Sequence, residues 1–310
     1  MILFTTASGA GYGLLFLVGI SAAFDLGLPA SPFFGFIAMV VSLGLITLGL
    51  LSSTFHLGHP ERSWRAFSQW RTSWLSREGV AAVATFVPAG LMAICWVFLS
   101  QFGGFFKFMG LLSALGAIVT VYCTGMIYAS LTTIRQWHNS LVVPVYLVLA
   151  LATGAILFAA LMQAAGAGAT WHIILALGSV VAAIALKLVY WKSIDSEEHT
   201  LTTGDATGLG QFGKVRLVEA PHSQKNFVMR EMGFKVARKH ARKLRAMFIV
   251  AGLGLTCAML LIALTGIGAL SIIALISAIA SMGYAVVVER WLFFAQAQHV
   301  VTLFYGAETA

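Results

Sequence analysis

Long apolar runs separated by short polar breaks set the pattern of this chain. Eight of them, over 9–28, 33–55, 78–100, 108–131, 141–164, 171–192, 246–268 and 271–291, read as membrane-crossing helices. A hydrocarbon core of about 30 Å takes roughly 20 residues of helix to cross, and each run is of that order. Apolar residues are continuous within the runs instead of alternating, which argues for helices and against the strands of a closed barrel. The pattern therefore predicts an all-α polytopic transmembrane bundle of eight helices, with residues 1–310 as a single integral membrane domain. The breaks are short except at 192–245, a loop that opens acidic and ends in a basic amphipathic segment.

Composition strengthens this reading. A hydrophobic share of 59% and a mean hydropathy of +0.91 lie outside the range of soluble globular domains. Residues 1–8, "MILFTTAS", hold no Lys or Arg, so the basic start of a cleaved signal is missing and the first run is expected to be retained. The net charge of +8 is unevenly spread. Arg62, Arg65, Arg71, Arg77, Arg135 and the dense set from Lys192 to Arg245 fall in alternate breaks, whereas the opposite breaks offer only Lys107. The asymmetry predicts that both termini are cytoplasmic, along with the breaks after the second, fourth and sixth runs. The positive charge is thus a topology signal and implies no nucleic-acid partner.

Cysteines and histidines narrow the chemistry. Cys95, Cys123 and Cys257 each stand alone within an apolar run, without the close thiolate spacing that an iron–sulfur cluster or structural zinc needs. No metal is expected in this chain, and a redox metal would belong to another subunit. The eight histidines fall in breaks or near span ends, so haem b is not expected. His56, His138 and His299 do share one end, which leaves haem there open.

Most of the chemistry concentrates in one stretch. Residues 53–79, "STFHLGHPERSWRAFSQWRTSWLSREG", hold two His, two Glu, four Arg and three Trp, in a chain with only 10% charged residues. Each has a structural reading. Gly58 suits a left-handed helix end and Pro60 stops continuation. Ser73 or Ser76 suits a helix cap, and Glu78 the first helical turn. Trp64, Trp70 and Trp74 suit the interfacial belt. Together they say more, because His56 and Glu78 end adjacent helices on one membrane face, where they are expected to line one shallow cleft. A quinone headgroup needs hydrogen-bond donors, a proton path and apolar or aromatic walls. His and Glu supply the proton path. Arg71 or Arg77 would hold the carboxylate or polarise a carbonyl, and Trp74 would flank the ring.

The segment "HLGHPERSWRAFSQWRTSWLSRE" resembles the membrane-anchor subunits of dimethyl sulfoxide reductase, the DmsC type. In that family an H-L-G-x-P block at the end of the second span precedes an S-x-L-S-x-E block opening the third. "TIRQWHNSLVVPVYL" and "GKVRLVEAPHSQKNFVMREMGFKVARKHARKLR" resemble its proteobacterial branch, which includes anchors of a membrane-bound, cytoplasm-facing sulfite dehydrogenase. The resemblance implies a multi-pass subunit of the bacterial inner (cytoplasmic) membrane. Its partners would be an iron–sulfur electron-transfer subunit and a molybdopterin catalytic subunit, which carry the clusters and the molybdenum, so the chain alone is non-catalytic for the sulfur substrate. It would exchange electrons with ubiquinone or menaquinone, the family's quinone-site His and Glu falling on His56 and Glu78. Arg77 is added on chemical grounds, and His59 receives no role.

Two further features complete the expectations. Arg230, Lys235, Arg238, Lys239 and Arg242 form a basic stretch that suits anionic lipid headgroups or docking of the iron–sulfur subunit. Lys187, Glu289 and Arg290 lie near span ends and are expected to snorkel to the interface. No chain of ionisable residues crosses the interior, which counts against a transporter. The expected function is quinone exchange for sulfite oxidation; the alternatives are quinol-fed reduction of dimethyl sulfoxide (or a related substrate), a purely structural anchor and a transporter.

Overall fold

In the computed structural model, residues 1–55, 57–196, 201–216, 218–219, 224 and 238–305 are described. Among these residues no strand forms, and an isolated bridge joins Ile134 to His299. Eight helices are long and apolar enough to cross a membrane: α1 (Ile2–Ala23), α2 (Pro32–Thr54), α3 (Trp74–Val97), α4 (Gly104–Ala129), α5 (Val142–Ala164), α6 (Thr170–Ser196), α7 (Ala241–Ala263) and α8 (Gly268–Ala295).

The helix limits follow from local chemistry. Ser31 caps α2 and is followed by Pro32, whose missing N–H costs nothing in a first turn. Ser73 caps α3 through the N–H of Ser76. α1 starts and ends earlier than its apolar run suggests. Asp25 (φ 54°) and Gly27 (φ 80°) turn the chain out of helix, so Leu26 and Leu28 belong to the connection. Gly58 does not take the expected left-handed conformation, because α2 ends in a right-handed Phe55 and the chain enters a 3-10 helix at Pro60–Gln69.

The helices pack as two groups of four. In one, α1, α2, α3 and α4 form a ring of neighbours; in the other, α5, α6, α7 and α8 do. Contacts of α1 with α5 and α8, and of α4 with α5, join the groups. α1 is the central helix, and its seams are built from glycine. A Cβ on Gly13 would lie 1.9 Å from the Ala150 oxygen, and one on Gly154 2.2 Å from the Gly13 carbonyl carbon, so α1 and α5 touch backbone to backbone. Gly19 meets Gly110 of α4 with the same intimacy (2.4 Å to its oxygen). Small residues allow such approach where lipid supplies no hydrophobic drive between helices. Large side chains such as Leu48, Val87, Ile174, Leu261 and Ile273 face outward.

The basic breaks share one end of this bundle with the start of α1 and the segment after α8. There Trp137 Nε1 donates to the Phe293 oxygen (2.9 Å), and Arg245 pairs with Asp195. At the opposite end Lys107 pairs with Asp25.

Candidate functional site

Glu78 sits one turn inside α3, at the basic end. Its side chain turns toward α4 and is 4% exposed. Thr124 Oγ1 of α4 donates to Glu78 Oε1 at 2.5 Å and lies 3.0 Å from the Thr120 carbonyl oxygen. The hydroxyl has one proton and two acceptors in reach, so it serves one at a time. The α3–α4 seam is close because Gly116 leaves room for Thr85; a Cβ there would come within 2.4 Å of Thr85 Oγ1. Phe67 of the 3-10 segment lies on Gly79, where a Cβ would meet its ring at 2.7 Å. Glu78 is therefore enclosed by helix packing and does not line a shallow open cleft. Tyr12 of α1 is within electrostatic reach of Glu78, and its buried hydroxyl lies beside Thr120 of α4. The same ring lines an open apolar groove of about 220 Å³ between α1, α4 and α5.

The structure redistributes the other expected residues. Arg77 does not hold the Glu78 carboxylate. Its Nε donates to the Trp70 oxygen (2.9 Å), its Nη2 to the Arg71 oxygen (2.7 Å), and its guanidinium lies 4.2 Å from the Trp74 ring centroid. The loop's own carbonyls, unpaired where the 3-10 helix ends, compete successfully for that fork of donors. Arg71 is exposed beside Trp70 (5.6 Å to the ring centroid), and Trp74 packs edge-on against Tyr122. His59 pairs locally with Glu61 at 3.0 Å. His56, Arg230 and Lys235 lie outside the described residues. Of the docking candidates, Lys239 and Arg242 are exposed. Arg238 instead donates to the oxygens of Ala295 and Ala297, both at 2.8 Å, and so ties the start of α7 to the end of α8.

Lys187, Glu289 and Arg290 do not snorkel. They are 1%, 0% and 2% exposed and form a buried ionic cluster between α6 and α8. Lys187 Nζ is 2.6 Å from Glu289 Oε1, and Arg290 Nη1 is 3.3 Å from Glu289 Oε2. Neither Glu289 oxygen gains an aligned hydrogen bond. Aromatic faces complete the enclosure, Arg290 lying 3.6 Å from the Tyr146 ring centroid and Lys187 3.9 Å from that of Tyr190. A lysine snorkels when its helix faces lipid at that level. Here α6 turns Lys187, Tyr190 and Trp191 onto one face, against α7 and α8.

A small cavity is walled by a neighbour of each buried acid, Thr124 beside Glu78 and Arg290 beside Glu289. It measures about 10 Å³ at water centres, space for one water, and its walls come from α1 (Thr5, Thr6, Ser8), α4 (Thr124), α5 (Tyr146) and α8 (Arg290). It thus lies where the two four-helix groups meet. Thr124, Tyr12 and Tyr146 are absent from the sequence-based candidates, since a hydroxyl within an apolar run gives no signal of its facing partner. The ionic cluster had one: a lone Lys in one span and a Glu–Arg pair in another, both near the same end.

The geometry defines a class first: a polytopic membrane protein with buried proton-bearing groups near its basic end and, among the described residues, no grouping of side chains suited to hold a metal. The chain belongs to the DMSO reductase anchor subunit (DmsC) family, whose model matches residues 1–307. It is 31% identical to a sulfite dehydrogenase subunit of Allochromatium vinosum over an alignment of 326 residues, covering 98% of this chain and 97% of that protein.

Proposed function

We propose that this protein is the quinone-reactive anchor of a molybdenum oxidoreductase complex in the bacterial inner membrane. It passes electrons between an iron–sulfur partner and ubiquinone or menaquinone, while a molybdopterin subunit oxidises sulfite. The observation that carries the reading is the Glu78 carboxyl, buried one turn inside the basic end and hydrogen-bonded to Thr124, in a chain of the anchor family. The residues suit a quinone. Glu78 can hold or release a proton, and the apolar groove beside Tyr12 suits a ligand that arrives through lipid.

A bound quinone supplies a two-electron, two-proton couple. The chain's own task is to deliver or remove those protons and to exclude bulk water. Glu78 holds one proton at its contact with Thr124. His56, which follows α2 in sequence at the same end, is the second proton carrier. Arg77 and Trp74 fix the entry of α3, which sets the direction of Glu78. The exposed Lys239 and Arg242 offer the iron–sulfur partner a positive surface at this end, and the excess of basic residues there supports a cytoplasmic placement. The similarity to a sulfite dehydrogenase subunit favours sulfite oxidation. The family's description favours a second reading, in which quinol is oxidised and dimethyl sulfoxide or a related substrate reduced.

The test uses membranes that hold the assembled complex. His56→Ala and Glu78→Gln are each expected to lower quinone-linked turnover by about 10²-fold or more, the usual scale for loss of a proton-transfer group. Turnover of the partner subunits with an artificial dye is expected to persist. Wild-type quinone-linked rates in both variants would leave a purely structural anchor.

A further inference from the structure

A carboxyl that exchanges protons with a ligand must be recharged, and Glu78 is enclosed. The small cavity between the two four-helix groups lies beyond Thr124, which touches Glu78 on one side and walls the cavity on the other. Two further walls carry buried polar atoms without hydrogen-bond partners among the described residues, Thr6 Oγ1 and the Tyr146 hydroxyl, and Arg290, paired with Glu289, forms another. One water needs two to four polar partners and about this much space. Thr5, in the first turn of α1, brings the cavity to the basic end.

We infer that Thr124 and this cavity form the proton-transfer route between the basic end of the bundle and Glu78, an inference that rests on the quinone-reactive reading of Glu78. Thr124 is suited to relay because its single proton has two acceptors. With Glu78 ionised the hydroxyl donates to Glu78 Oε1 (2.5 Å); with Glu78 protonated it accepts from the carboxyl and turns its own proton to the Thr120 oxygen (3.0 Å). In a transfer toward Glu78, the Thr124 O–H bond breaks as the carboxyl O–H bond forms. In the same step Thr124 takes a proton from a water in the cavity, and that water is reprotonated from the basic end. One proton moves inward, no electron moves, and the hydroxyl is restored. Transfer away from Glu78 runs the same bonds in reverse.

Arg290 decides the order of these events. Lys187, Arg290 and Glu289 together carry one formal positive charge in excess, which disfavours an extra proton in the cavity. The same charge stabilises the hydroxide-like water left when the proton is given first and replaced afterwards. Thr124 carries the proton.

The experiment compares Thr124→Val, Thr124→Ser and Glu78→Gln in membranes that hold the assembled complex. Quinone-linked and dye-linked turnover are measured with and without a small permeant weak acid such as formate. Thr124→Val is expected to lower the quinone-linked kcat about tenfold or more with quinone KM nearly unchanged and dye turnover intact. Formate is expected to restore part of that rate by carrying protons past the missing hydroxyl, and Thr124→Ser, which keeps it, to recover the wild-type rate. A wild-type rate in Thr124→Val overturns the route while Glu78→Gln still tests the site. Loss without rescue by formate overturns it too, by making Thr124 a mere support for the Glu78 side chain. Wild-type quinone turnover in Glu78→Gln removes the reading beneath.

Discussion

Three charges buried together are not equivalent, and the difference is measurable. Removing the cation in Lys187→Met leaves Glu289 and Arg290 as a neutral pair and takes away the excess positive charge. Removing the anion in Glu289→Gln leaves two buried cations with no counter-charge. Breaking a buried pair so that a charge is stranded costs about 3–5 kcal/mol. Glu289→Gln is therefore expected to lower the thermal unfolding temperature of the detergent-purified protein clearly more than Lys187→Met. Equal losses, or a larger one for Lys187→Met, would mean that the cluster is not held by charge balance. All three residues were visible in the sequence, and their depth was not. Near a span end a lysine can reach water or turn inward, and only the facing of α6 against α8 decides between them. Glu78 was legible as a candidate because it and His56 end adjacent spans on one membrane face, in a segment that resembles the anchor family. Its partner Thr124 was not, because the pairing joins positions 46 apart that become adjacent only when α3 packs on α4.

At the scale of elements, apolar length told the number of helices and little about how they meet. The glycines of α1 form separate seams with α2, α4 and α5. A side chain at Gly13 has no space, since even its Cβ would fall 1.9 Å from the Ala150 oxygen. Gly44 of α2 has nothing within 4 Å of such an atom. Gly13→Leu is thus expected to cost about 1–3 kcal/mol or more by overpacking, whereas Gly44→Leu stays within about 0.5 kcal/mol. Thermal unfolding of the two purified variants checks the contrast, and equal stability would show that α1 and α5 separate without penalty. α7 holds another feature the apolar run concealed, a π-helical stretch over Val250–Thr256. Thr256 Oγ1 and Ser281 Oγ of α8 both donate to the Ala251 oxygen at 2.9 Å, so the wider turn depends on a hydroxyl from the neighbouring helix. Local sequence alone does not specify that.

Across the whole molecule the buried chemistry and the excess of positive charge occupy the same end, and the orientation of that end decides where partners dock. Arg62, Arg65, Arg71 and Arg77 crowd the connection between α2 and α3, while Lys107 at the far end is neutralised by Asp25. Lys and Arg in short connections resist transfer across the inner membrane, so the crowded end is expected to remain cytoplasmic. Cysteine labelling tests this directly. Gln69, in the 3-10 segment, and Gln101, between α3 and α4, are both exposed and lie at opposite ends of α3. In a background lacking Cys95, Cys123 and Cys257, a membrane-impermeant maleimide applied to intact spheroplasts is expected to label Gln101→Cys and spare Gln69→Cys. Permeabilisation should then expose the second site. Labelling of Gln69→Cys alone in intact spheroplasts would invert the bundle. The route from the basic end to Glu78 would then draw protons from the opposite compartment, and a quinone reduced at this site would no longer take its protons from the cytoplasm. Sidedness therefore determines whether turnover here contributes to a transmembrane proton difference or is neutral to it.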